Sequence, residues 1–148
     1  SKVLGPLAEI ISAFHPMAKT LSGARWELAF DEVETALNAA RTVRHAFDAV
    51  DTAKAGLPVR FWIKISCHFA LVHVLRNTDE TVLSLLGPEA RLPTSILPYA
   101  VTGAITATEP FASALFAGGQ QGLRAEFVGD PIVNDQGGPV RLFAIKAA

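Results

Sequence analysis

The chain has 148 residues, which is enough for one domain with a sizeable hydrophobic core. Half of the residues are hydrophobic and only 18% are charged, a composition that excludes an intrinsically disordered chain. Thirteen basic and fourteen acidic residues leave a net charge of −1. Because no run of Lys or Arg stands out, the composition disfavours a nucleic-acid-binding domain.

Cysteine usage and hydropathy restrict the setting of the protein. A single cysteine cannot form an intramolecular disulfide, and no Cys/His cluster has zinc-site spacing, so we expect a reduced, cytoplasmic environment. The sequence predicts no signal peptide, and its apolar stretches fall well short of the ~20 residues that span a membrane. The mean hydropathy of +0.32 favours an apolar surface that a partner covers.

The first half of the chain alternates predicted helices and strands. Apolar residues at helical spacing predict a helix over residues 3–14, and residues 25–30 read as a strand. Asp31 is the expected N-cap of a long helix that reaches about residue 54, with Glu34 completing a capping box. Alternation then predicts a strand over 59–66 that pairs with a second strand over 69–76.

The second half is predicted to repeat this mixture. Residues 79–86 read as a short helix, and the proline-rich stretch 87–98 as irregular chain. A strand over 104–107 precedes a helix from Glu109 to Phe116, for which Thr108 is the expected cap. Two further strands are predicted over 124–128 and 139–146.

This order of elements contains two pairs of successive strands, which excludes a doubly wound βαβ sheet. We therefore predict a single α+β domain over residues 1–148. Its expected architecture is ferredoxin-like, with a mixed, mostly antiparallel sheet and helices packed on one side.

Single residues with reactive side chains give no active site by themselves. Cys67 and His68 are neighbours on a predicted strand, so their side chains point to opposite faces, and Cys67 reads as a small core residue. His68 and His73 are five residues apart, which also separates them onto opposite faces. His15 and His45 read as a helix-end residue and a solvent-exposed residue, and helix capping accounts for Asp31 and Glu34.

Four stretches of the chain resemble elements of the class III adenylate/guanylate cyclase catalytic domain. They are residues 23–33 (GARWELAFDEV), 57–72 (LPVRFWIKISCHFALV), 89–92 with 101–112 (EARL and VTGAITATEPFA), and 126–129 with 138–143 (EFVG and GPVRLF). In the family, these positions hold a Gly-Asp-x-x-x-x-x-Phe element, a His-x-Gly-x-Val turn, an Asn-x-x-x-Arg helix with a Thr-Glu-x-Phe-Ala segment, and the terminal strand pair. The resemblance lies in their shared order and spacing.

The resemblance implies the conversion of ATP or GTP to a 3′,5′-cyclic nucleotide at the interface of a face-to-face dimer. Two divalent cations held by aspartates activate the ribose hydroxyl and the phosphates, and an Arg and an Asn stabilise the transition state. Of these positions, this sequence keeps Arg91. Ala24 stands at the second metal-Asp position (Gly23 with a one-residue shift), Gly87 stands at the transition-state Asn position, and Ala70 replaces the turn glycine. No strand with the first metal aspartate is found before the first predicted helix.

Three hypotheses follow for the function. The first is a degenerate cyclase homology domain without activity, which serves as a regulatory or dimerisation module. The second is a cyclase subunit that contributes Arg91 to a site shared with a complete partner, which would then supply the ligands for Mg²⁺ or Mn²⁺. The third is an α+β domain that binds a small ligand other than a nucleotide. We predict a homodimer or heterodimer, no nucleic-acid partner, and no metal or cofactor held by this chain alone.

Overall fold

A computed structural model describes residues 4–49, 63–133 and 138–148. Its helices are α1 Leu4–Ser12, α2 Val33–Asp48, α3 Leu92–Ile96 and α4 Glu109–Ala117, with a 3-10 turn at Leu97–Tyr99. Its strands are β1 Ala18–Ser22, β2 Arg25–Ala29, β3 Ile65–Cys67, β4 His73–Arg76, β5 Val82–Leu86, β6 Ile105–Thr108, β7 Leu123–Gly129 and β8 Leu142–Ala147. This mixture confirms the predicted α+β class.

The described strands form a four-stranded sheet and two hairpins. The sheet has the order β3-β6-β8-β7, and the hairpins are β1-β2 and β4-β5. Only β3 and β6 run parallel, while every other described pair is antiparallel. The sheet is therefore mixed and mostly antiparallel, as the sequence predicts.

The main hydrophobic core lies between the four-stranded sheet and the helices α2 and α4. Leu37 of α2 and Phe111 and Leu115 of α4 pack against Ile105 and Ile145 of the sheet, and all five are at most 2% exposed. Val33, Leu37 and Ala40 follow one another at helical spacing and form this face of α2. Burial of these side chains fixes both helices on the sheet, because each fully buried large aliphatic or aromatic side chain contributes roughly 1.5–3 kcal/mol.

The start of α2 differs from the prediction. The helix begins at Val33 with Glu32 as its N-cap, and no side chain caps it. The expected N-cap at Asp31 and the capping box with Glu34 are therefore wrong. The first turn still carries Glu34, whose charge interacts favourably with the helix N-terminus without any capping bond. The predicted end of the helix near residue 54 lies outside the described residues, as do residues 59–62 of the following predicted strand.

Strand pairing in the middle of the chain also corrects the prediction. The strand ending at Cys67 does not pair with the next strand but with β6, in parallel. The next strand, β4, forms a hairpin with β5 over residues that had been predicted as a helix. Asn77 and Glu80 close the turn of this hairpin, with Glu80 at a φ of 68°. Cross-strand pairing overrides the weak local preference for helix there.

Two further elements were not anticipated. Residues 18–22, which had no predicted structure, form β1 and pair with β2. The stretch 87–98 is not irregular but contains α3, whose Leu92 and Ile96 are buried with Leu142. Pro93 is compatible with this short helix because it occupies the first turn, where its missing N–H has no intrahelical partner. No helix in the described ranges is long and apolar enough to cross a membrane.

Candidate functional site

The turn between β1 and β2 holds Ala24, which the sequence resemblance aligns with the family's second metal-Asp position. Ser22 and Arg25 pair across the hairpin, so Gly23 and Ala24 form a two-residue turn. Gly23 has a φ of +57°, a conformation that glycine adopts without steric cost. The indole Nε1 of Trp26 donates a hydrogen bond to the Gly23 carbonyl oxygen at 3.1 Å. With either alignment, Gly23 or Ala24, the turn carries no carboxylate.

The second part of the candidate site is the turn at residues 87–91, which the sequence resemblance aligns with the transition-state Asn and Arg positions of the family. Gly87 has a φ of +142°, which side-chain-bearing residues rarely adopt. A Cβ atom there would lie 3.8 Å from the Leu71 carbonyl oxygen and from the Val72 Cα. The turn therefore packs directly on the chain that connects β3 to β4.

Arg91 lies at the start of α3 and is exposed to solvent. Its backbone carbonyl oxygen accepts hydrogen bonds from the Ser95 amide at 3.1 Å and the Ser95 hydroxyl at 3.2 Å. Within the described residues, its guanidinium group has no hydrogen bond or ion pair. Arg91 is thus held through its backbone, and its charged group is available to an incoming anion or a partner.

A side-chain hydrogen bond joins α3, which follows the 87–91 turn, to β2, which follows the turn at Gly23 and Ala24. The hydroxyl of Thr94, in α3, donates to Glu27 Oε1 of β2 at 2.6 Å. The helix that begins after Arg91 is thereby joined to the hairpin whose tip is Ala24. The structure brings the elements bearing Ala24, Gly87 and Arg91 together, although these positions are far apart along the chain.

His68 occupies the centre of a buried hydrogen-bond network beneath the 87–91 turn. Its side chain is only 3% exposed. The ring Nδ1 lies 2.7 Å from Thr108 Oγ1, and the ring Nε2 lies 3.2 Å from Glu89 Oε1. His68 therefore links the end of β3 to the end of β6 and to a residue two positions before Arg91.

The chemistry of the partners assigns the protons of this network. An ionised carboxylate only accepts, so Nε2 of His68 donates to Glu89. Burial lowers the pKa of His68 below its usual 6.5, and the opposing effects of the Glu89 charge and hydrogen bond are smaller. In the resulting neutral ring Nδ1 is an acceptor, and the hydroxyl of Thr108 donates to it.

The order Thr108–His68–Glu89 is formally that of a nucleophile, a base and an acid. Thr108 is 0% exposed, so no substrate atom can reach its hydroxyl in this conformation. The arrangement instead suits a positioning role, because it fixes the 87–91 turn on the sheet through two hydrogen bonds. Sequence reasoning missed it: the alternation of faces separated His68 from Cys67 but could not indicate a partner forty residues later.

The same network corrects the expected cap of α4. Thr108 is the N-cap residue by position, yet its side chain makes no capping hydrogen bond. Its hydroxyl is directed to His68 instead. A buried imidazole nitrogen without a partner is destabilising, which favours the bond to His68. At the helix start, the Glu109 amide donates instead to the Arg141 carbonyl oxygen at 3.0 Å.

The remaining candidate residues lie outside this network. Cys67 packs against the main core, and burial raises the pKa of its thiol to about 12, so it is an unreactive core residue as predicted. His15, His45 and His73 are exposed. The expectation that His68 and His73 belong to one strand is wrong, because His68 follows β3 and His73 begins β4. Trp26 is half-buried on β2, whereas Trp62 lies outside the described residues.

The divalent cations of the family do not fit the residues of this site. Among the described residues, no group of three or more His, Cys, Asp or Glu side chains could hold a metal ion. The hairpin tip offers no carboxylate, and Glu27, on the adjacent strand, accepts a hydrogen bond from Thr94. Mg²⁺ prefers carboxylate oxygens at octahedral positions, and the site does not present them.

Comparison with known proteins gives a match at the level of structure alone. No protein-family model matches the chain, and no curated protein matches it. Adenylate cyclases from Trypanosoma brucei, solved in their monomeric state, superpose with a TM-score of 0.81 at 12% identity, over 97% of this chain and 77% of theirs. The adenylyl cyclase CyaB from P. aeruginosa gives 0.75 at 11% identity, over 99% and 80%.

A guanylate cyclase domain also superposes on this chain. The guanylate cyclase domain of RhGC from Catenaria anguillulae, solved with GTP, superposes with a TM-score of 0.70 at 13% identity, over 99% of this chain and 80% of that one. The fold is therefore that of the class III adenylate/guanylate cyclase domains. The resemblance found in the sequence is confirmed as a resemblance of fold.

Proposed function

We propose that this chain is a degenerate cyclase homology domain that does not cyclise nucleotides and acts as a regulatory or dimerisation module. The observation that carries the proposal is the tip of the β1-β2 hairpin, where Gly23 and Ala24 offer no carboxylate. Gly87 lacks the side-chain amide expected at its position. Arg91 is the one family catalytic position that keeps its residue type.

The missing ligands have a large effect on the reaction. In the family, divalent cations activate the attacking hydroxyl and neutralise the phosphates, so their carboxylate ligands are indispensable. Losing one preorganised electrostatic contact to the transition state lowers a rate by about a hundredfold to a thousandfold. Several such losses together leave Arg91 unable to support measurable turnover.

A nucleotide cyclase assay tests the inactivity. The purified chain is incubated with ATP or GTP and with Mg²⁺ or Mn²⁺, beside an active cyclase domain as the positive control. We expect cyclic nucleotide at the level of the protein-free blank under every condition. Turnover that scales with the concentration of this chain, and survives repurification, would contradict the proposal.

Exposed apolar side chains support the association part of the proposal. Leu75 and Leu86 are 47% and 48% exposed on one face of the β4-β5 hairpin, and Leu71, before this hairpin, is 97% exposed. Exposed apolar patches of this kind mark interaction surfaces. Light scattering over a concentration series tests for self-association, and a strict monomer at the highest concentration would remove the homodimer from the proposal.

Arg91 favours a second candidate, a subunit that supplies this residue to a shared active site. Its exposed guanidinium has no partner among the described residues. A guanidinium that is not paired within its own chain can bind the phosphate oxygens of a nucleotide. The test mixes this chain with a cyclase subunit that has the metal carboxylates but lacks its own arginine. We expect activity with the wild-type chain and with the control R76A, and none with R91A; equal rates with R91A would refute this candidate.

Thermal shift measurements separate these candidates from a domain for a non-nucleotide ligand. A ligand that binds the native state raises the melting temperature. A shift with ATP, GTP or a cyclic nucleotide supports retained nucleotide binding, and its loss in R91A would place the phosphates near Arg91. No shift with any of them favours a protein-binding module or a different small ligand.

A further inference from the structure

Among the described strands, β7 forms an edge of the four-stranded sheet and leaves its outer side unpaired. It pairs with β8 alone among the described strands. Five consecutive residues in its middle, 124–128, are exposed. Such an edge is a template for adding another strand, because its backbone groups already have strand geometry.

The hydrogen-bond pattern identifies the groups on this open edge. The Ala148 amide donates to the Gly122 carbonyl oxygen at 2.9 Å, so Gly122 and Ala148 form a hydrogen-bonded pair, and by alternation so do Arg124 with Lys146 and Glu126 with Ala144. The N–H and C=O groups of Leu123, Ala125 and Phe127 therefore point away from β8. By this alternation, none of these groups takes part in the ladder with β8. We call this row the open edge of β7.

We infer that the open edge of β7 binds the same edge of a second copy of this chain, in antiparallel orientation with Ala125 opposite Ala125 of that copy. This pairing joins the two four-stranded sheets into one continuous sheet around a two-fold axis. The outward backbone groups of Ala125 bond to their own copies, and those of Leu123 bond to those of Phe127.

Charge selects this register over its neighbours. With Ala125 on the axis, Arg124 lies directly opposite Glu126 of the second copy, and Glu126 lies opposite Arg124. A shift that keeps the backbone bonds moves the axis by one residue, to Arg124 or to Glu126, and then places two like charges face to face. Opposite charges at directly facing positions stabilise a strand pair, and like charges destabilise it.

The apolar side chains of the strand fit the same register. Odd-numbered residues of β7 project to the face where Leu123 packs against the main core, and in the paired edges Leu123 meets Phe127 of the second copy. Phe127 is 52% exposed in the single chain and contacts Phe143 edge-on, with ring centroids 5.8 Å apart. Pairing would cover this ring, which adds apolar burial to the backbone bonds.

The first experiment uses charge reversal, with sedimentation velocity over a concentration series of the full chain. R124E alone and E126R alone each place like charges at both facing positions, so we expect each to weaken self-association roughly tenfold to a hundredfold. An equimolar mixture of the two variants restores opposite charges at both positions and should associate as tightly as wild type. R41E is the matched control, since it reverses an exposed charge on α2, and it should associate as wild type.

Backbone substitution gives an independent test. A125P removes an N–H that faces away from β8, so it should abolish association with little change in the melting temperature. E126P removes an N–H that bonds to β8, and it should lower the melting temperature as well. In wild type, hydrogen exchange at Leu123, Ala125 and Phe127 should slow as concentration rises, whereas exchange at Arg124 and Glu126 should not change.

The outcomes separate this interface from the proposed function. A wild-type chain that stays monomeric overturns both the β7 interface and the homodimer part of that proposal. A dimer that resists R124E and E126R but dissociates on L75E overturns the β7 interface alone and assigns association to the β4-β5 hairpin. Unchanged exchange at Ala125 in a dimeric sample also overturns the β7 interface, even if a variant fails to fold.

Discussion

Thr108 Oγ1 donates to His68 Nδ1 across 2.7 Å, and this bond joins the ends of the two parallel strands of the sheet. Cys67 of β3 lies opposite Ala107 of β6, so the next residue of each strand comes side by side. Because the other ring nitrogen of His68 binds Glu89, the same imidazole anchors the turn that leads to Arg91. The network therefore connects the core of the sheet to the surface where Arg91 is exposed.

Replacement of Thr108 by valine tests the strength of this bond. T108V keeps the shape of the side chain but leaves a buried ring nitrogen without a donor, so we expect the free energy of unfolding to fall by about 1–3 kcal/mol. Urea denaturation measures the change. The exposed Thr102 provides the control, and T102V should change stability by less than about 0.5 kcal/mol. Equal effects of the two substitutions would show that the hydroxyl of Thr108 contributes nothing.

The lowered pKa of His68 gives a pH dependence with a definite sign. Because the folded-state pKa lies below 6.5, the unfolded chain takes up this proton first as pH falls. Stability from His68 is thus fully present above pH ~7, declines as pH falls through the unfolded pKa, and levels off below the folded pKa. Melting temperatures over this range should fall less steeply in H68Q, which keeps polar contacts and does not titrate. Identical slopes in both proteins would contradict the assignment.

Substitutions of Gly23 and Ala24, the two residues of the turn between β1 and β2, should differ in their effect on stability. G23A places a side chain at a φ of +57°, which should lower the free energy of unfolding by about 1–2 kcal/mol. A24D changes an exposed residue that does not have a positive φ, so it should alter stability by less than about 0.5 kcal/mol. Thermal unfolding of both variants measures the difference. A larger loss of stability in A24D than in G23A would contradict this turn geometry, because it would place the strained backbone at Ala24.

Arg141 should stabilise the end of the β7-β8 hairpin through one ion pair and two rings. Its guanidinium lies 2.7 Å from Glu109 and within 5.6 Å of the ring centroids of Phe127 and Phe143. These groups are about half exposed, so a double-mutant cycle of R141A with E109Q should give a coupling of only about 0.2–1 kcal/mol. High salt should reduce this coupling, since it screens exposed charges. A coupling of zero, with R141A still destabilising, would mean that the contacts with the two rings, rather than the ion pair, hold Arg141.

Local patterns in the sequence determined a large part of this protein. The apolar face of α2 follows from side chains spaced for one side of a helix, because this pattern is encoded by near neighbours. The strands β7 and β8 were also predicted, with somewhat different bounds. The resemblance to cyclase domains rested on the order of such segments and held as a likeness of fold. The absence of a carboxylate at positions 23 and 24 was also legible, since it depends on residue identity alone.

Tertiary structure decided what depends on residues far apart in the chain. Residues 82–86 became a strand because β4 lies beside them, and Thr108 left its expected cap because His68, forty positions earlier, needs a donor. The open edge of β7 and its self-complementary charges became visible only once the hydrogen bonds to β8 fixed which backbone groups point outward. Strand pairing and burial depend on contacts between segments that are distant in the sequence, because those segments must come together to exclude water. The exposed edges are the strands that this pairing leaves without a neighbour.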